Sequence, residues 1–196
     1  MTADEIVATT DMVAHCFQVL IDHLRGSPVV NNHLQLPKAT VGGMFVTWET
    51  NAGHLRGCIG CLSEIELHRL SDYAIRSSQN DTRFSPIRET ELASLVCHVS
   101  ILHSFQSCMH FSDWTVGVHG IIVELRDGGK RFSATFLPNV MFEQGWDQRQ
   151  AVVEALKKSG FNGTVVKVLE SVSVTRYQSS KASLTHAEYA QNIESD

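Results

Sequence analysis

The sequence lacks the features that mark a membrane protein, a nucleic-acid binder or a secreted disulfide scaffold. Every apolar stretch is interrupted by His, Glu, Ser or Gly well short of the roughly 20 residues a bilayer core requires. Lys and Arg total 16 against 21 Asp and Glu, a net charge of -5, and they fall singly rather than in runs. No basic stripe is available to neutralise phosphates, so nucleic acid is not an expected partner. The cysteines, five in all, are an odd and scattered set rather than a disulfide framework, and reduced thiols are expected. Histidines are also dispersed, without the His-Glu-x-x-His or His-x-His spacing of a metal site, and no cofactor fingerprint or complete triad occurs. No metal is therefore expected, and the cofactor, if any, is unknown. The opening Met1-Thr2-Ala3-Asp4-Glu5 is acidic where a targeting peptide would be basic, which predicts a cytoplasmic or nuclear location.

What is present is an ordinary globular composition, 43% apolar and 19% charged over 196 residues, long enough for one substantial core. Met12, Cys16, Val19, Leu20 and Leu24 repeat with helical period and predict a helix from about Asp4 to Arg25, followed by a connecting loop over 29–40. Residues 44–48 and 54–62 read as strands of a hairpin turning at Asn51-Ala52-Gly53. Ser63 with Glu66 has capping-box spacing and predicts a helix ending near Ser78, with a loop over 80–91 behind it. Residues 95–102 are apolar on both faces, as in a central strand, and 116–125 with 131–137 flank the turn Asp127-Gly128-Gly129. Asp147 with Gln150 opens a helix that closes at Gly160. A late strand at Val172 and Val174 and a short helix capped by Thr185 with Glu188 complete the chain. Hairpins mixed with helices, without regular βαβ alternation, define an α+β fold with a mainly antiparallel sheet flanked by helices. No repeat or linker divides the chain, so residues 1–196 read as a single domain.

The least ordinary segment is Leu55-Arg56-Gly57-Cys58-Ile59-Gly60, because two glycines sit inside a strand pattern that each weakens by about 0.5–1 kcal/mol relative to Ala. On a regular strand Arg56 and Cys58 share one face, while Leu55 and Ile59 turn to the core with Gly57 between them. A guanidinium beside a thiol favours thiolate, and Arg can bind a carboxylate or phosphate in bidentate fashion. The competing structural account makes the glycines a bulge, Cys58 a small core residue and Arg56 the partner of a surface acid. Cys58 and Cys61 are three apart, which sends their sulfurs to opposite faces and argues against a paired redox or zinc role. His119 lies in Gly117-Val118-His119-Gly120, with space around the imidazole, or as a histidine bonded to backbone.

These segments together resemble the AMME syndrome candidate gene 1 protein family (AMMECR-type domain), over about Asp11 to Tyr189. The resemblance rests on Leu55-Arg56-Gly57-Cys58-Ile59-Gly60, Asp81-Thr82-Arg83-Phe84, Gly117-Val118-His119-Gly120, Leu137-Pro138-Asn139-Val140 and Glu143-Gln144-Gly145-Trp146-Asp147. Residues 116–120 and Thr175-Arg176-Tyr177 look more like its eukaryotic members. It implies an α+β fold of a larger and a smaller subdomain, with motif residues gathered near a cleft. It also implies a Memo-like protein as a possible partner, since prokaryotic relatives occur with or fused to such proteins and radical S-adenosylmethionine proteins.

Two functions compete at this point. In the first, a small-molecule-binding or catalytic cleft uses Cys58 as nucleophile or acid/base and His119 or Glu143 for proton transfer, with Arg56, Gly57, Gly60 and Arg83 contacting the ligand. In the second, the same segment shapes a non-catalytic adaptor surface for a protein partner.

Overall fold

The structure, a computed structural model, describes residues 6–27 and 36–194, the side chains of 192–194 excepted. The expected helix start at Asp4 and residues 29–35 of the expected loop lie outside the described residues. Helix α1 spans Thr10–Leu24, later than expected, because Thr9 is extended and its side chain accepts a hydrogen bond from the Met12 N–H, fixing the helix start there.

A six-stranded, mainly antiparallel sheet flanked by helices organises the chain, in the order β3-β2-β5-β8-β6-β7. Its strands are β2 (Gly43–Thr50), β3 (Leu55–Cys61), β5 (Leu95–Ser107), β6 (Gly120–Asp127), β7 (Lys130–Phe136) and β8 (Ser173–Thr185). Short strands β1 (Thr40–Val41) and β4 (Ile65–Glu66) form a separate antiparallel pair. That pairing overturns the expected Ser63 cap: Glu66 faces Thr40 in a ladder, a 3₁₀ turn follows at Leu67–Arg69, and helix α2 runs over Leu70–Gln79. The expected loop over 80–91 likewise ends in a 3₁₀ turn at Glu89–Ser94. By contacts the chain divides into two compact units, Met1–His103 with Ser180–Asp196, and Ser104–Ser179.

In the first unit one face of the sheet builds the core. Met44, Val46 and Trp48 alternate inward from β2 and Cys97, Val99 and Ile101 from β5, all at 0% exposure, the two-residue period of a sheet with one face packed. The expected central strand is thus central in the sheet, though only this face is fully buried. Helices α1 and α2 pack with α6 (His186–Glu194) on the same core, where Phe17 meets Trp48 edge-on at 5.2 Å and stacks on Tyr189 at 5.1 Å. Thr185 and Glu188 cap α6 reciprocally, as their spacing predicts: the Glu188 carboxylate accepts from Thr185 N and Thr185 Oγ1 accepts from Glu188 N.

In the second unit Ile121, Val123 and Leu125 of β6 pack against Met141 of α3 (Pro138–Glu143) and Ala151, Val152, Ala155 and Leu156 of α4 (Gln148–Lys158). A one-turn helix α5 (Val165–Val168) precedes β8. Asp147 caps α4, its Oδ1 accepting from Gln150 N at 2.7 Å. Asp147→Ala is therefore expected to lower stability by about 1 kcal/mol, read as a lower urea midpoint at unchanged slope; an unmoved midpoint would refute the cap. Among the described residues no helix is long and apolar enough to cross a membrane.

Candidate functional site

Strand β3 lies at one edge of the sheet, paired on one side with β2. Trp48 faces Gly57 but Glu49 faces Leu55, so one extra residue, Arg56, bulges from β3. The bulge reverses the alternation and corrects the expected facing: Leu55 leaves the core and stands 37% exposed, while Ile59 still packs on it. Gly57 faces α2, where a Cβ would stand 1.8 Å from the Ser77 carbonyl oxygen. Its α-hydrogen instead points at that carbonyl, the arrangement of a Cα–H···O contact. Trp48 Nε1 donates to Ser77 Oγ (3.0 Å) and to Ala74 O (3.3 Å), drawing the same turn of α2 onto the sheet. Gly60 makes room for Phe45, whose ring would be 2.3 Å from an added Cβ.

Arg56, expected as an anion anchor, is taken up by an ion pair within the chain. Its Nε and Nη2 grip the two oxygens of Glu91 at 2.9 and 3.1 Å, and Nη2 also donates to Ser85 O. Arg83 is held differently. Asp81, nearly buried, accepts from Arg83 Nε (2.9 Å) and Nη2 (2.6 Å) and from Cys58 N (2.9 Å), while Arg83 Nη2 donates back to Cys58 O at 3.1 Å. The Asp81 and Arg83 pair therefore satisfies both outward backbone groups of Cys58, as a neighbouring strand would, and blunts the sheet edge there. The Arg83 guanidinium holds the Asp81 carboxyl well below the usual carboxylate range, against an opposing effect of burial, and Asp81 in turn raises Arg83.

With its backbone outward at Cys58, the strand forms a non-hydrogen-bonded pair with Thr47, the closer of the two antiparallel pairings. Thr47 Oγ1 donates to Cys58 Sγ at 3.1 Å, and the thiol is half-buried. On its other side Thr47 is paired with His98 of β5, so Cys58, Thr47 and His98 form a row across three strands. His98 Nε2 meets Glu49 Oε2 at 3.1 Å, and Nδ1 is buried without a hydrogen-bond partner among the described residues. Burial holds the imidazole below its ordinary pKa, Lys181 acts in the same direction, and Glu49 opposes both.

His119 and Glu143 belong to the second unit. His119 Nδ1 accepts from Thr115 N at 3.0 Å and His119 N donates to Thr115 O, so the side chain closes the turn that Gly117 enters at φ +80°. The accepting Nδ1 leaves Nε2 carrying the proton in neutral imidazole. Burial first, then Arg176, keeps His119 below its ordinary pKa. Gly120 accommodates the Tyr177 ring, 2.3 Å from an added Cβ; burial pushes the Tyr177 phenol up to about 12. Glu143 is exposed at the end of α3 and accepts from Asn139 Nδ2 at 3.2 Å.

The sequence-selected Arg56, Gly57, Cys58, Gly60 and Arg83 thus gather on and around β3 in one unit. Asp81, Glu91, Thr47, His98 and Glu49 complete their surroundings and were not selected from sequence. Asp81 stood in a quoted motif beside Arg83; nothing in the sequence marked the others, whose roles come from strand register and loop return.

The family model of AMMECR1 matches residues 13–182, and the chain belongs to that family. It is 37% identical over 195 residues to an uncharacterised protein of Arabidopsis thaliana, covering 94% of this chain and 88% of that one. It is 35% identical over 155 residues to an uncharacterised protein of Schizosaccharomyces pombe, covering 77% and 79%. The crystal structure of an uncharacterised protein from Pyrococcus horikoshii matches with a TM-score of 0.69 at 24% identity, over 88% of this chain and 89% of that one, and shows the same fold.

Proposed function

We propose that the face of the first unit carrying Cys58 is a small-molecule site, with that thiol as its reactive group. The observation that carries this reading is the immobilisation of Cys58: its N–H and C=O are both held by the Asp81 and Arg83 pair, while its sulfur faces outward from the core to Thr47. Arg56, Gly57 and Gly60 are taken up by ion pairing or close packing, whereas the Cys58 thiol accepts a hydrogen bond from Thr47 and is half-buried. A fixed backbone holds a reacting atom near attack geometry, where misplacement by an ångström is costly. His98, oriented by Glu49, supplies a proton-transfer group beside Thr47 in the same unit. Limiting iodoacetamide near neutral pH, followed by peptide mass spectrometry, tests the reading with Cys61 as control on the same strand. Cys58 is expected to be labelled several-fold faster, and labelling no faster than Cys61 would sink the proposal.

The adaptor reading is favoured by Phe142 and Val118 of the second unit, 70% and 49% exposed, because exposed apolar side chains suit a protein contact. A Memo-like protein, in cytoplasm or nucleus, is the partner to try; equal recovery of it by wild type and Phe142→Ser would count against this surface.

A further inference from the structure

Arg83 is bound along one edge only. Its Nε and Nη2 face Asp81 and Cys58 O, Nη1 has no hydrogen-bond partner among the described residues, and the side chain is 56% exposed. Arg56 is likewise held through Nε and Nη2, by Glu91 and Ser85 O, but is only 15% exposed, so it is Arg83 whose outer edge meets solvent. The Asp81 and Arg83 pair is also oriented, with the carboxylate 7% exposed beneath and the guanidinium outermost, so its positive end meets solvent beside the thiol. Because Arg83 Nη2 donates to Cys58 O at 3.1 Å, the guanidinium stands beside the residue that carries the thiol. On β2 the Phe45 ring, lying over Gly60, provides an apolar flank two residues from Thr47. A thiol, an outward guanidinium edge with a free donor and an aromatic flank form a receptor for a particular kind of molecule.

We propose that the Cys58 face takes a small electrophile bearing a carboxylate, with the acid on the outer edge of Arg83 and the electrophilic carbon at Cys58 Sγ. The inference rests on the reading of Cys58 as the reactive group and adds the substrate class. Planar, charge-assisted pairing of guanidinium and carboxylate makes Arg the fitting anchor for such a ligand. Iodoacetate is the minimal probe of this class. Sulfur bonds to the methylene carbon, the carbon–iodine bond breaks, iodide leaves with the electron pair, and the thiol proton passes to solvent.

The test compares rates of Cys58 modification in the full chain by iodoacetate and by neutral iodoacetamide at low ionic strength, each relative to free glutathione. The normalised ratio of acid to amide is expected to be about tenfold in favour of the acid, and to fall toward one in Arg83→Gln. Raising the salt should shrink the preference in the wild type, which keeps the test available if Arg83→Gln does not fold. A ratio equal to that of glutathione would overturn the carboxylate assignment while leaving Cys58 reactive. An acid preference that persists in folded Arg83→Gln would overturn the role of Arg83. Cys58 reacting no faster than Cys61 with either reagent would remove the thiol reading, and this inference with it.

Discussion

Gly57→Ala is expected to destabilise the protein by about 3 kcal/mol or more, at or above the upper end of ordinary overpacking. The added methyl would sit 1.8 Å from the Ser77 carbonyl oxygen and 3.0 Å from its carbon. Both are backbone atoms of α2, so no rotamer change can yield. Relief requires α2 to lift from the sheet, which strains the Trp48 hydrogen bonds to Ala74 and Ser77 and opens the packing beneath. Cys58→Ser, one residue along, should cost less than about 1 kcal/mol, because Thr47 remains a partner for the new hydroxyl and the site is half-buried. Urea melts of the two variants measure the order; a larger loss for Cys58→Ser would return that residue to the core and remove its thiol from the chemistry.

Asp81→Ala is expected to cost about 2 kcal/mol near neutral pH. Breaking a fully buried ion pair costs about 3–5 kcal/mol, but Arg83 is 56% exposed and regains water when its partner goes, which discounts the figure. What remains is the lost acceptor for the Cys58 N–H and for three nitrogens of Arg83, its backbone N, Nε and Nη2. The same carboxylate sets an acid limb of stability. Its folded pKa lies below its unfolded one, so the stabilisation is fully present above the ordinary carboxylate value of about 3.9 and is lost as pH falls toward the folded value. Denaturant midpoints recorded from pH 6 down to pH 3 should therefore fall more steeply in wild type than in Asp81→Asn. Parallel profiles would mean that Asp81 is not held low by Arg83. Because the clamp fixes the Cys58 peptide, Asp81→Asn is also expected to slow Cys58 alkylation, whereas Asp147→Ala should not.

Elements whose signals are local were legible in the sequence. The hairpin at Asn51-Ala52-Gly53, the β6 and β7 hairpin at Asp127-Gly128-Gly129 and the caps at Asp147 and Thr185 depend on a few adjacent residues, and each formed as expected. The failures have non-local causes. Ser63 and Glu66 have the spacing of a capping box, but Glu66 meets a strand partner 26 residues away in Thr40, and the ladder prevails over the cap. Leu55 has the pattern of a core residue until the bulge at Arg56 shifts the register.

The sequence by itself determined the α+β class, the family through its motifs, and the presence of something unusual at Leu55-Arg56-Gly57-Cys58-Ile59-Gly60, because composition, periodicity and glycine in a strand are properties of neighbouring residues. Only the tertiary structure decided what each motif residue does. Gly57 answers to a helix carbonyl 20 residues away, Arg56 to Glu91, the Cys58 backbone to Asp81 and Arg83, and its thiol to a row ending at His98. Those roles depend on hydrogen bonds and close packing between segments far apart along the chain. Strand register and the path of the 81–91 loop bring them together, and neither is written in the spacing of adjacent residues.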